Sequence, residues 1–318
     1  MSGSGESRFK KGPLSLSLSK AVRGAWPKRN AVRRSILTVL LALAACQSAP
    51  ADQKHPALWE VTAADGAKGW VFGTVHALPD GLEWQTPAID RAVAQSGTLV
   101  LEILDPADQI AARAAFLRLG TTPGQPPLEA RVEPTLRPAL RAALTKTGLN
   151  AAQFSSLEDW AVALTLSFAL EAAEGNDPGN GADRALLAAA GQRPVAGLET
   201  LEGQLGLFDA WSAREQRSLL SAVLAESAST VADKRLVKAW AAGDVATLDR
   251  EAHAGMMADP RLREALLVAR NRRWAEQVAA MLNSGERPFV AVGAAHVVGI
   301  DGLPEMLAAR GFAVKRVQ

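Results

Sequence analysis

Val290-Ala291-Val292-Gly293-Ala294-Ala295-His296, near one end of the chain, repeats a pattern found near the other, Trp70-Val71-Phe72-Gly73-Thr74-Val75-His76. Each is a short apolar run, which reads as a buried strand, followed by a glycine and, three residues on, a histidine. Glycine at such a point lets the backbone turn or approach a neighbour closely. In an open α/β sheet the carboxyl ends of the strands line the ligand crevice, so two such strands side by side in parallel bring both imidazoles to one rim. A third apolar run, Thr98 to Leu104, holds Glu102. A carboxylate there is costly to bury unless it is paired or bound to a cation. These runs predict an α/β (α+β) fold with a central mixed sheet formed by strands from both chain ends.

Working outward, Leu58 to Ala63 and Gly69 to Gly73 read as strands joined by a turn at Asp65-Gly66. Thr86 to Gln95 reads as a helix. From Pro106 to Gly191 the pattern is mainly helical, a large insert: Ala107 to Leu119, Pro134 to Thr147, and a helix through Ala173 opened by a Ser155-to-Glu158 capping box. Glu174 to Gly181 is a turn, and Pro194 to Leu198 a short strand. Ser212 with Glu215 opens another capped helix, and Arg261 to Leu282 is a long one. Pro288 to Gly293 is a strand, Leu303 to Ala309 a helix, and Phe312 to Val317 a closing strand.

The composition, 48% hydrophobic and 21% charged over 318 residues, suits a packed domain and excludes disorder as the main state. One cysteine excludes an intrachain disulfide framework and a cysteine zinc cluster. Residues 1–46 carry nine Lys and Arg against Glu6 alone, a charge of +8. With +2 overall, the remaining 272 residues therefore carry −6. That acidic balance, with no tyrosine and 5% aromatic residues, argues against nucleic acid as a partner.

The organisation expected is an N-terminal extension and signal over 1–45, a tether over 46–57 and a domain over 58–318. Ile36 to Ala45 is an apolar run behind a basic flank, too short to span a bilayer comfortably, and it ends in small residues as a secretory signal does. Leu43-Ala44-Ala45-Cys46 resembles a bacterial lipobox, which implies lipidation of Cys46 with palmitate and attachment to the membrane. Gln47 after the cysteine, by resemblance to enterobacterial sorting, implies the outer membrane, facing the periplasm. No later segment offers about twenty apolar residues, so a membrane-spanning regulator is not expected.

The four histidines are His55, His76, His253 and His296. His55 falls in the tether and His253 on a helix face, and both read as solvated. Imidazole is the commonest protein metal ligand, and His76 with His296 falls one carboxylate short of a catalytic metal site, for which Glu102 is the candidate. Absence of H-E-x-x-H argues against the common zinc-peptidase helix, and absence of G-x-S-x-G against a serine hydrolase.

The paired motifs, Gly73-Thr-Val-His76 and Gly293-Ala-Ala-His296, resemble those of the TraB/GumN family, which includes the Tiki metalloproteases. Glu102 falls at the family's strand glutamate. Gly181-Ala182-Asp183-Arg184-Ala185-Leu186-Leu187 resembles its G-x-D-x-x-L segment, Leu198-Glu199-Thr200 its L-E-T, and Arg270-Asn271-Arg272-Arg273-Trp274 its R-N-x-x-W/M helix. Val297-Val298 departs mildly from the usual Leu-x. The resemblance implies a metal-dependent hydrolase, most simply a metallopeptidase acting on a peptide or protein. His76, His296 and Glu102 would hold a divalent cation, manganese or cobalt, with Glu102 as third ligand or as base. Asp183, Glu199 and Arg270 would support the site or orient substrate. Their alternative role is structural, in ion pairs or, for Asp183, as a helix cap. The competing function is a non-catalytic envelope lipoprotein that binds or sequesters a peptide or glycan in the same crevice.

Overall fold

The structure, a computed structural model, describes residues 55–104, 109–228 and 232–318. The signal-like run Ile36 to Ala45, the lipobox cysteine Cys46 and Ala107 lie outside the described residues.

Among the described residues eight strands form: β1 (Leu58–Thr62), β2 (Lys68–Thr74), β3 (Leu78–Pro79), β4 (Thr98–Ile103), β5 (Asn176–Asp177), β6 (Val195–Glu199), β7 (Pro288–Gly293) and β8 (Ala313–Arg316). Six of them make the central mixed sheet, in the order β6-β4-β7-β2-β1-β8. Strands β6, β4, β7 and β2 run parallel, whereas β1 is antiparallel to both β2 and β8. The parallel strands β2, β4 and β7 read as unbroken apolar runs because the sheet is covered on both faces, and Val71, Phe72, Leu99, Val290 and Val292 are buried. The β1–β2 hairpin closes where expected, with Gly66 at a φ of 88°, a conformation that side-chain-bearing residues avoid.

The helices are α1 (Pro87–Gln95), α2 (Gln109–Gly120), α3 (Leu128–Arg131), α4 (Arg137–Thr147), α5 (Asp159–Ala173), α6 (Ala182–Ala189) and α7 (Leu201–Asp209). There follow α8 (Ala213–Ser227), α9 (Ala232–Ala241), α10 (Val245–Glu251), α11 (Pro260–Arg263), α12 (Ala269–Asn283) and α13 (Leu303–Ala308). Two cores result. The sheet core gathers Phe72, Trp84, Trp240 and Phe289 with residues of α1, α6, α12 and α13. A second core, built on Phe154, Trp160, Leu166, Leu219 and Leu220, belongs to the helices that surround α5. Among the described residues no helix is long and apolar enough to cross a membrane, α5 included.

The short strand expected at Pro194 to Leu198 forms as β6. Between α5 and α7 the chain returns to the sheet through α6 and β6, so one strand of six comes from mid-chain. The expected Ser155-to-Glu158 capping box is absent. Instead Asn150 and Gln153 box the preceding 3-10 turn, Ala151–Phe154. Glu158 is held from outside the helix, by Thr122 Oγ1 at 2.5 Å and Gln216 Nε2 at 2.8 Å. Long-range partners thus outbid a local cap. The Ser212–Glu215 box forms as expected. The predicted turn over Glu174 to Gly181 contains β5, which pairs antiparallel with β3 just after His76. The long C-terminal helix is interrupted: five residues, Glu264–Val268, form a π-turn between α11 and α12.

Candidate active site

The register of the parallel strands sets the site. Thr74 stands opposite Gly293, Leu101 opposite Ala291, and Ile103 opposite Glu199. The carboxyl ends of β2, β7, β4 and β6 therefore lie along one sheet edge, and both G-x-x-H loops leave from it. Neither motif glycine has a positive φ, so neither is required by its backbone conformation. A Cβ on Gly73 would come within 2.7 Å of Val297 Cγ2 and 3.0 Å of the Ala294 Cα, so this glycine admits the second loop against the first. A Cβ on Gly293 would meet Glu102 Oε2 at 3.5 Å, His296 Cδ2 at 3.5 Å and His76 Nε2 at 3.9 Å. Three side chains from three parallel strands thus face one small space beside Gly293.

Glu102 is buried and fully engaged at one oxygen. Its Oε1 accepts from Arg270 Nη2 at 2.5 Å and Gln204 Nε2 at 2.8 Å, while Oε2 accepts from the Gly293 N–H at 3.2 Å. Burial opposes its charge, but the positive charge that His296, Arg270 and His76 can carry, with the Arg270 hydrogen bond, outweighs it. The carboxyl is held well below the usual carboxylate range.

Arg270, on α12, joins the two strand carboxylates. Its Nε lies 3.1 Å from both oxygens of Glu199 and its Nη2 lies 2.8 Å from Glu199 Oε2. Nη1 donates to the Leu266 carbonyl within the π-turn at 3.1 Å, and the guanidinium carbon sits 4.5 Å over the Trp274 ring. Glu199 also accepts from Trp274 Nε1 at 3.0 Å and Arg273 Nη2 at 3.3 Å. The structural ion-pair role considered for Glu199 and Arg270 is therefore real. It is not separate from the site, because the same guanidinium bonds Glu102.

The two motif histidines have opposite surroundings. His296 is buried, with Nδ1 2.6 Å from Asn271 Oδ1, Nε2 3.4 Å from Arg270 Nη1, and Trp274 packed 4.5 Å away between ring centroids. Burial pushes its pKa down to about 4, with Arg270 and His76 adding to the effect against Glu102. It is neutral at pH 7. The His76 side chain keeps 57% of its surface exposed, and its Nδ1 lies 3.4 Å from Asp183 Oδ1. The Asp183 carboxylate raises its pKa to about 8, against the effect of burial.

Asp183 does not cap α6. Gly181 holds the N-cap position and no side-chain cap bond forms. Asp183 Oδ1 is buried without a hydrogen bond of ordinary geometry, and His76 is its close polar neighbour. Gly181 makes this possible, since a Cβ there would fall 2.4 Å from the His76 carbonyl oxygen. The other two histidines stand apart from this cluster. His55 is half-buried, and His253 lies in the turn after α10, not on a helix face, with Nδ1 2.7 Å from the Asp249 carbonyl.

Sequence reasoning missed Gln204 and Asn271. Asn271 sits inside the R-N-x-x-W segment, so a signal existed, but its partner is 25 residues away. Gln204, on α7, meets Glu102 across 102 residues and carried no local signal.

Two imidazoles and a carboxylate around the open space at Gly293 are donor types that a divalent cation takes, although His296 Nε2 faces Arg270 Nη1 at 3.4 Å in the arrangement described. In the arrangement described, no three His, Cys, Asp or Glu side chains among the described residues are spaced to share one ion.

The sequence model of the TraB/PrgY/gumN family matches residues 57–316. No curated protein and no solved structure gives a match. The chain belongs to the TraB/PrgY/gumN family.

Proposed function

We propose that this member of the TraB/PrgY/gumN family is a hydrolase of amide bonds in peptides, working in the cell envelope from a lipid anchor on Cys46. The observation that carries the reading is the convergence of His76, Glu102 and His296 on the space beside Gly293 at one edge of a parallel sheet.

His296, buried and held below its ordinary pKa, borders the space with its Cδ2 edge, and its Nε2 lies 3.4 Å from Arg270 Nη1. Glu102, anionic and clamped by Arg270 and Gln204, keeps Oε2 toward the same space and orients a water or a substrate N–H there. His76, with Nδ1 3.4 Å from Asp183 and its ring open to solvent, borders the same space through Nε2. A divalent cation, manganese or cobalt by family resemblance, would be held by His76, His296 and Glu102, and would supply carbonyl polarisation and a water of lowered pKa.

The test is metal analysis of the full chain followed by a peptide-library digest read by mass spectrometry. The expected result is stoichiometric manganese or cobalt and cleavage products, both lost in His76→Ala/His296→Ala. Metal binding unchanged in the double variant would remove the metal assignment, and no cleavage at any peptide would remove the hydrolase. A non-catalytic envelope lipoprotein that sequesters a peptide or glycan is the second reading, favoured by the spacing of the three donors as described. It predicts retention of peptide without cleavage. For the anchor, labelled palmitate should enter the wild type and not Cys46→Ala.

A further inference from the structure

His296 lies between two neighbours whose hydrogen-bonding roles are fixed by their chemistry. Asn271 is fully buried, and its amide orientation is set by its far end. Nδ2 donates to the Asp301 carbonyl at 2.6 Å and lies 3.4 Å from the His296 carbonyl, and a carbonyl only accepts. Oδ1 therefore faces the imidazole, 2.6 Å from Nδ1, so Nδ1 must carry the hydrogen. On the opposite side of the ring Arg270 Nη1 stands 3.4 Å from Nε2, and a guanidinium only donates. Both neighbours ask for the same tautomer. The ring cannot turn to escape them, since Trp274 covers it and the residue is 6% exposed.

We infer that Asn271 is a positioning residue of this cleft: it fixes His296 as the Nδ1–H tautomer, so that Nε2 carries no hydrogen and acts only as an acceptor, toward Arg270 Nη1, at the edge of the space that Glu102 and His76 share. The Cδ2 atom bonded to Nε2 already borders that space, 3.5 Å from where a Gly293 Cβ would lie. His296 is then an acceptor at Nε2, in contrast to His76, whose Nδ1 faces the Asp183 carboxylate. The kinetic side of this inference rests on the hydrolase reading, whereas the tautomer does not.

The π-turn belongs to the same arrangement. Arg270 and Asn271 are consecutive, yet both are buried and both reach the site, one toward the strand carboxylates and one toward His296. The π-turn that precedes them ends at Val268, and its Leu266 carbonyl takes Arg270 Nη1.

The test uses the full chain labelled with 15N at histidine and a long-range 1H–15N correlation spectrum, with the His296 signals identified by their loss in His296→Gln. The expected spectrum shows His296 with a protonated Nδ1 and a bare Nε2. In Asn271→Ala those signals move toward the average of exchanging tautomers, while Asn271→Asp, which keeps an acceptor there, retains the proton on Nδ1. A protonated Nε2 in the wild type overturns the inference, as does an unchanged spectrum in Asn271→Ala. Should Asn271→Ala fail to fold, the wild-type spectrum still decides. With a peptide from the library digest, Asn271→Ala should lower kcat about 10–100-fold while KM holds. A rise in KM alone overturns the positioning role. A chain that cleaves no peptide removes the hydrolase and leaves the tautomer result standing.

Discussion

The two G-x-x-H loops are alike in sequence and unlike in chemistry. Each follows a buried parallel strand, and the strands are neighbours. The second loop runs beneath α12, so His296 is enclosed by Trp274, Asn271 and Arg270 and stays neutral. The first loop leads out to the short β3–β5 ladder, so His76 remains open and meets the Asp183 carboxylate. A local motif places a histidine; the element packed over it decides what its nitrogens do.

That contrast can be broken hardest at Arg270. Replacing it with leucine leaves the buried Glu102 and the half-buried Glu199 without their shared cation, a loss of about 3–5 kcal/mol in denaturant unfolding. His76→Asn, in the open loop, should stay within about 0.5 kcal/mol of wild type, and an equal loss in both variants would mean the loops are not differently enclosed.

The glycines separate packing from chemistry. Gly73→Ala drives a methyl against Val297 and the Ala294 backbone and should cost about 1–3 kcal/mol. Gly293→Ala meets only ordinary contacts and should unfold within about 0.5 kcal/mol of wild type, yet it fills the space between the three side chains and should abolish cleavage or peptide retention.

The smallest effect is the most telling in sign. His296 has a folded pKa below its ordinary value, so it is bare in the fold while still protonated in the unfolded chain. Its contribution makes stability rise with pH between about 4 and 6.5. His76 has a folded pKa above its ordinary value, so its contribution is complete below about 6.5 and is lost as pH rises through about 8. Unfolding series for wild type against His296→Gln and against His76→Asn should give difference slopes of opposite sign, the second shallow because the ring is half exposed. Slopes of one sign would put both histidines in the same electrostatic class.

Much of this was legible in the residues. The two strand–glycine–histidine runs and the carboxylate within Thr98 to Leu104 told of a shared edge, because short unbroken apolar runs closed by glycine suit parallel strands buried on both faces. The side chains that hold the site were not legible. Gln204 and Asn271 act only once α7 and α12 have docked, and nothing near them in sequence announces Glu102 or His296 as partners. The Ser155-to-Glu158 box failed for the same reason, because Thr122 and Gln216 claim the Glu158 carboxylate from afar. The π-turn likewise has no periodicity signal that sets it apart from an α-helix.

Strand β7, next to last in the chain, occupies an inner place in the sheet, with β4 on one side and β2 on the other. During synthesis those two strands must wait, each with an unpaired edge, until Pro288 to Gly293 arrives to bridge them. Any chain truncated before Pro288 would lack the bridge and the second histidine together. Completion of the fold and completion of the cleft are thus a single event, and no half-made form of the protein can carry a finished site.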